Sequence, residues 1–182
     1  MTRMASRLPS IITDTTTLPE TKKGPPSFKF LLAHPAHFIA CGCGSGLTRW
    51  APGTFGTFFA WITFVFFRPH VSDGELLTLL AAAYLLGIWA IDVTGKGIGD
   101  PDHGSIVWDE IVTFWLVLML TPDTFLWQSA AFALFRYFDI TKPQPARYFD
   151  EHVKNGFGVM ADDLVAAGYT LLSLALLKLV FA

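Results

Sequence analysis

Five apolar runs, residues 55–67, 76–91, 111–120, 125–138 and 164–181, follow one another with almost no charge on any face. A surface helix of a soluble protein keeps one polar side, so a helix that is apolar all round is buried in protein or in lipid. Composition separates the two: 52% of residues are hydrophobic, only 15% are charged, and mean hydropathy is +0.46. That balance belongs to a membrane protein. The pattern predicts an all-α fold, a polytopic bundle of membrane helices with four to five spans. Several runs fall short of the roughly 20 residues that cross a hydrocarbon core, so polar flanks must extend them. The competing reading is a soluble all-α protein in which these short runs are buried helices.

The first 27 residues differ in kind. They hold Arg3, Arg7, Lys22 and Lys23, a Thr-rich stretch around Thr15, and Gly24-Pro25-Pro26, without the apolar stretch of a signal peptide. This composition predicts a disordered cytosolic tail over 1–27 and one membrane-embedded domain over 28–182 that carries the chemistry. Residues 28–40, broken by His34-Pro35 and His37, read as an interfacial N-terminal helix rather than a span. A net charge of −2 gives no basic surface for nucleic acid. Cys41 and Cys43 stand two apart and read as small residues of the apolar region, not as a bridge or a metal site.

Alternate crossing places residues 41–54, 92–110 and 136–163 on one side of the membrane and the connectors 68–75 and 121–124 on the other. The first side collects Arg49, Asp92, Lys96, Asp102, His103, Asp109, Glu110, Arg136, Asp139, Lys142, Arg147, Asp162 and Asp163. Of 13 Lys and Arg residues, only Arg68 and Lys178 fall toward the other side, so the polar side is cytoplasmic.

On that side, Asp109-Glu110 and Asp162-Asp163 each stand at the head of an apolar run. Carboxylates beside hydrocarbon are expensive to keep and mark a functional site by default. Complementing a helix dipole would account for one such pair more readily than for two. Without a Cys or multi-His cluster, these acids favour a hard cation, Mg²⁺ or Ca²⁺, over zinc. Neighbouring helical residues point about 100° apart, so one member of each pair faces the metal and the other a partner. Asp102 and Asp139 extend the acidic set, and His103 offers a proton relay. Arg136, three residues before Asp139, either pairs with it or meets an anion; Lys142, just before Pro143, is better placed for a phosphate. Pro52-Gly53-Thr54 opens the first run, where free N–H groups at a helix start hold anions. No Cys-x₅-Arg loop is present, nor the Ser/His arrangement of the lipid-phosphatase class, and Asp100-Pro101-Asp102 follows no buried strand. Metal-assisted phosphoryl chemistry remains.

These stretches carry a resemblance. Gly44-Ser45-Gly46-Leu47 and Pro52-Gly53-Thr54 come first, then Asp102-His103-Gly104-Ser105-Ile106-Val107-Trp108-Asp109-Glu110. Phe135-Arg136-Tyr137-Phe138-Asp139 follows with Lys142-Pro143-Gln144-Pro145, and then Gly156-Phe157-Gly158-Val159-Met160-Ala161-Asp162-Asp163. In this order they resemble the phosphatidylglycerophosphatase A family of bacterial inner-membrane enzymes, over most of residues 38–170. Asn155 stands where the family often has a first glycine, and Thr113 where a glycine is common.

The resemblance implies Mg²⁺-dependent removal of the terminal phosphate of phosphatidylglycerophosphate, a membrane phospholipid, at a cytoplasmic site. Asp109, Glu110, Asp162, Asp163 and Asp102 are then the expected metal ligands. Asp109, Glu110, Asp139, Asp162, Asp163 and His103 are the expected catalytic groups. Arg136, Lys142, Arg147, Arg49, Gly53 and Thr54 are expected to hold the substrate. A small divalent-cation carrier or channel using the same acids is the alternative, with a non-catalytic scaffold third. A carrier needs polar residues deep in its spans, and the middles of these runs are nearly bare.

Overall fold

The computed structural model describes residues 24–181; the expected tail, 1–27, lies outside the described residues except for 24–27. The described residues form eight α-helices and no strand: α1 (Phe28–Ala33), α2 (Pro35–Ala40), α3 (Pro52–Phe67), α4 (Asp73–Ile98), α5 (Trp108–Leu120), α6 (Phe125–Thr141), α7 (Ala146–His152) and α8 (Gly156–Phe181).

Local chemistry sets the helix ends. Ser72 and Glu75 exchange hydrogen bonds in a capping box that starts α4, and Gly99, at φ 78°, ends it in the left-handed conformation. Thr124 caps α6 by accepting the Trp127 amide. Asn155 does the same for α8, its side-chain oxygen taking the Gly158 N–H at 3.0 Å. Pro52 occupies the first turn of α3, where its missing N–H costs nothing.

Helices α5 and α8 form the central pair. Helix α5 packs against α3, α4, α6 and α8, while α8 packs against α4, α5, α6 and α7. Phe114 and Phe135 are fully buried between them and their neighbours, with ring centroids 5.3 Å apart. Hydroxyls inside the bundle are satisfied locally: Thr57, Thr113, Thr121 and Thr170 each donate to the carbonyl four residues earlier. The segment 28–40 is two six-residue helices that break at His34, with α2 docked on α4 through a His37–Thr94 hydrogen bond of 3.1 Å.

Among the described residues, two helices have by themselves the length and apolarity to cross a membrane, α4 and α8, which supports a helical membrane fold without establishing four to five spans. Their most apolar windows are only 33% and 28% buried in protein, whereas the core helix of a soluble protein would be mostly buried. The remaining surface of the bundle is also apolar, with Phe66, Leu85, Leu126 and Leu179 between 68% and 81% exposed. These features together support membrane association. Helices α3, α5 and α6 have 16, 13 and 17 residues, about 20–26 Å at 1.5 Å per residue. Polar flanks do not lengthen α5, because Val107 is non-helical and Thr121 turns extended just before Pro122.

Packing rather than water exclusion holds helices together in lipid, so buried and lipid-facing side chains should respond differently. Phe114→Ala should lower the thermal midpoint in detergent by an amount equivalent to about 3–5 kcal/mol. Leu179→Ala should stay within about 0.5 kcal/mol of the parent. Equal shifts for the two variants would contradict this packing.

Candidate active site

Asp109 and Glu110 lie in the first turn of α5, and Asp162 and Asp163 in the second turn of α8. The loop before α5 is fixed by the Ile106 amide donating to the His103 carbonyl and the Val107 amide donating to the Ala40 carbonyl, at 2.7 and 2.9 Å. Contact between α5 and α8 then brings the two acidic pairs to one end of the bundle, near enough for Asp109 to repel Asp162 and Asp163. All four are buried, between 2% and 9% exposed.

Two cations enter this acidic end from the last turns of α6 and its C-cap. Arg136 Nη1 donates to Glu110 Oε1 at 2.9 Å and Thr57 Oγ1 at 3.2 Å, and forms an ion pair with Asp139 Oδ2 at 2.7 Å. The guanidinium is therefore committed to two carboxylates, the structural side of the choice left open by its spacing. Glycines on α3 make room for this group. A Cβ on Gly53 would collide with Glu110 Oε1 and lie 2.9 Å from Arg136 Nη2, and one on Gly56 would lie 3.0 Å from Glu110 Oε2. Gly53 thus has a clearance role that its place at a helix start does not reveal.

Lys142 ends α6 in the left-handed conformation, φ 42°. Its Nζ lies 2.6 Å from Asp150 Oδ1, 2.7 Å from Asp162 Oδ2 and 3.9 Å from Asp102 Oδ2. Partial burial opposes its charge, but Asp162 and Asp150 outweigh that and keep the ammonium protonated above its ordinary range. The Asp102 side chain keeps an edge 38% exposed. Loss of surrounding water still lifts its carboxyl to about 7, with Lys142 pulling down and Asp162 and Asp150 pushing up.

Seven carboxylates, from Asp102, Asp109, Glu110, Asp139, Asp150, Asp162 and Asp163, share these two cations. The imbalance leaves its mark in the hydrogen bonding. Asp109 Oδ1, Glu110 Oε2, Asp162 Oδ1 and Asp163 Oδ2 are buried with no partner, one oxygen from each member of both pairs. An uncompensated buried carboxylate costs several kcal/mol, so a proton or a cation belongs against these oxygens. Among the described residues, no three His, Cys, Asp or Glu side chains converge to enclose a metal by themselves. A cation held here would take one or two carboxylates and leave positions for water or phosphate oxygens, which suits Mg²⁺ and not a closed zinc site.

The other expected residues fall at varying distance from this centre. His103 is buried beside it, and its Nδ1 accepts the Ser105 amide at 3.1 Å, which assigns the ring proton to Nε2. Thr54 is half-buried in the first turn of α3. Exposed Arg49 lines a 640 Å³ cleft with Pro52, Asp102 and His103. Arg147 is exposed on α7 and joins no ion pair among the described residues. Sequence reasoning missed Asp150, Thr57 and Gly56. It also gave no role to Asp92, whose Oδ1 accepts the Gly156 amide at 2.6 Å and ties α4 to the start of α8. A Cβ on Gly156 would strike the Ile88 carbonyl, so this junction has no space for a larger residue.

Comparison with known proteins agrees with the motifs. The sequence pattern of "Phosphatidylglycerophosphatase A" matches residues 38–178. A Haemophilus influenzae protein named phosphatidylglycerophosphatase A is 45% identical over 148 residues, covering 81% of this chain and 91% of its own. The Escherichia coli protein of the same name is 38% identical over 136 residues, 74% of this chain and 78% of its own. A Bacteroides thetaiotaomicron relative whose name suggests a phosphatidylinositol-3-phosphatase is 40% identical over 150 residues, 77% and 91% of the two chains. No solved structure matches. With four ordered motifs, an all-helical fold and relatives aligned over most of its length, the chain belongs to the phosphatidylglycerophosphatase A family.

Proposed function

We propose that this protein hydrolyses the terminal phosphate monoester of phosphatidylglycerophosphate, giving phosphatidylglycerol and inorganic phosphate, with Mg²⁺ as cofactor. The site faces the cytoplasm at the surface of a bacterial inner membrane. The observation that carries this reading is the set of four buried, unpartnered carboxylate oxygens on Asp109, Glu110, Asp162 and Asp163, at one end of a bundle clad in apolar side chains. Family membership supplies the substrate: the Haemophilus and Escherichia relatives carry the phosphatidylglycerophosphatase name.

The two acidic pairs would hold Mg²⁺, which when bound supplies positive charge for phosphoryl oxygens and lowers the pKa of a water. Lys142, whose Nζ is already at the edge of the acidic cluster, donates to the terminal phosphate. Arg136 holds Glu110 and Asp139 in place and so contributes through them rather than through the substrate. A buried carboxylate with a free oxygen, Asp109 or Asp163, accepts the proton released by the attacking water. Arg49, across the cleft from Asp102, meets the diester phosphate, and the acyl chains remain in lipid.

Phosphate release from detergent-solubilised protein and phosphatidylglycerophosphate should require Mg²⁺ and stop with EDTA. Asp109→Asn and Asp162→Asn should each reduce it by about a hundredfold or more. Release that ignores chelation, or that survives both substitutions, would reject the assignment. Phosphatidylinositol-3-phosphate presents the same monoester on a bulkier headgroup and should be the poorer substrate; a reversed preference would move the substrate to the inositol lipid.

Gly53→Ala provides a geometric check. Its new methyl displaces Glu110 and Arg136, and a misplacement of this kind costs on the order of a hundredfold in rate. Gly168→Ala, on α8 with nothing near its Cβ position, should leave the rate unchanged. Full activity in Gly53→Ala would remove Glu110 from the reacting centre.

A further inference from the structure

We propose that Asp150 is a positioning residue: it holds the Lys142 ammonium at the mouth of the acidic cluster, with one N–H directed to the arriving phosphate. This rests on the reading of the site given above. A lysine ammonium has three N–H donors on a flexible four-carbon stem. In this structure two are taken, by Asp162 Oδ2 at 2.7 Å and Asp150 Oδ1 at 2.6 Å. The third has no acceptor within reach, since Asp102 Oδ2 at 3.9 Å is beyond hydrogen-bonding distance. Two anchors therefore fix where the third donor goes.

The two anchors are not equivalent. Asp162 is 4% exposed and belongs to the buried acidic pairs, so on its own it would draw the ammonium inward, where it competes with any cation there. Asp150 is 26% exposed on its side chain and stands on the outer side, and it draws Lys142 back to the mouth. Local structure is arranged to permit this. Lys142 adopts φ 42°, a left-handed conformation that is unfavourable for a non-glycine residue, at the turn between α6 and the proline pair Pro143 and Pro145. Helix α7 then packs on α8, anchored by buried Ala146 and by an edge-to-face contact of Phe149 with Phe157.

If Asp150 only pinned α7 to the bundle, its loss would lower stability and its effect would not depend on Lys142. The test is a set of kinetics with Mg²⁺ and phosphatidylglycerophosphate on full-length protein carrying Asp150→Asn, Asp150→Glu, Lys142→Met, or Asp150→Asn with Lys142→Met. Asp150→Asn should raise KM about tenfold, the scale of one charge-assisted hydrogen bond, with a smaller change in kcat and an unshifted thermal midpoint. Asp150→Glu should restore most of KM, and Asp150→Asn should add nothing once Lys142 is Met. A parental KM in Asp150→Asn, an equal loss in the Lys142→Met background, or failure of Asp150→Asn to fold would overturn the role. If the unsubstituted protein releases no phosphate, the reading of the whole site fails. If it is active and indifferent to Asp150→Asn, only the role of Asp150 fails.

Discussion

The rest of this structure depends on the burial of two carboxylate pairs against each other at the end of a bundle clad in apolar side chains. Like charges in a low-dielectric setting repel strongly, and nothing in the apolar wall of α5 and α8 can offset that. The molecule responds at two depths. Arg136 enters from α6 and neutralises Glu110 and Asp139, while Lys142, six residues later, reaches Asp162 and Asp150. Each cation binds at one edge, so the interior oxygens of both pairs stay unpartnered. A fold selected for stability alone would have replaced these acids with apolar residues. Their retention is the physical case for a bound cation and an anionic substrate.

Much of the surrounding architecture follows from keeping those groups in register. Helix α3 contributes no charge, yet Gly53 and Gly56 let it approach the Glu110–Arg136 pair closely, and Thr57 accepts a hydrogen bond from the guanidinium. Asp92 and the bare backbone of Gly156 seat the start of α8 on α4, which sets the height of Asp162 and Asp163 relative to α5. His103 and the loop to Val107 do the same for Asp109 and Glu110.

The all-helical class and the acidic pairs were legible because both are composition signals: uncharged runs have few destinations, and acids beside them stand out. Lys142 was legible for the same reason, as a lone cation ahead of a proline. The helix lengths were not, because apolarity fixes where a helix prefers to be and not where it stops. Helices α3, α5 and α6 stop early at turns around Arg68, Thr121 and Lys142. Asp150 was hidden because its partner is eight residues away across a proline-containing turn, and no helical or strand period joins them. Gly53 was visible but for another reason: a helix start suggests free N–H groups, whereas clearance for Glu110 exists only once α3 and α5 are packed.

Helix length also accounts for the depth of the site. The acids of α8 begin six residues after its first residue, Gly156, about 9 Å along the axis. Those of α5 begin one residue after its first, Trp108, so α8 rises past α5 at this end by roughly 7.5 Å, between one and two turns. The loop from Gly99 to Val107, the α6–α7 turn and α7 itself fill the space beside that excess and form the polar mouth. A phosphate monoester on a membrane lipid lies just outside the hydrocarbon, while its acyl chains cannot leave it. On the proposed lipid substrate, a short α5 beside a long α8 would put the carboxylates at that boundary without bringing charge to the middle of the bundle. The shortness of α5 is then the feature that would let buried acids and a lipid headgroup meet.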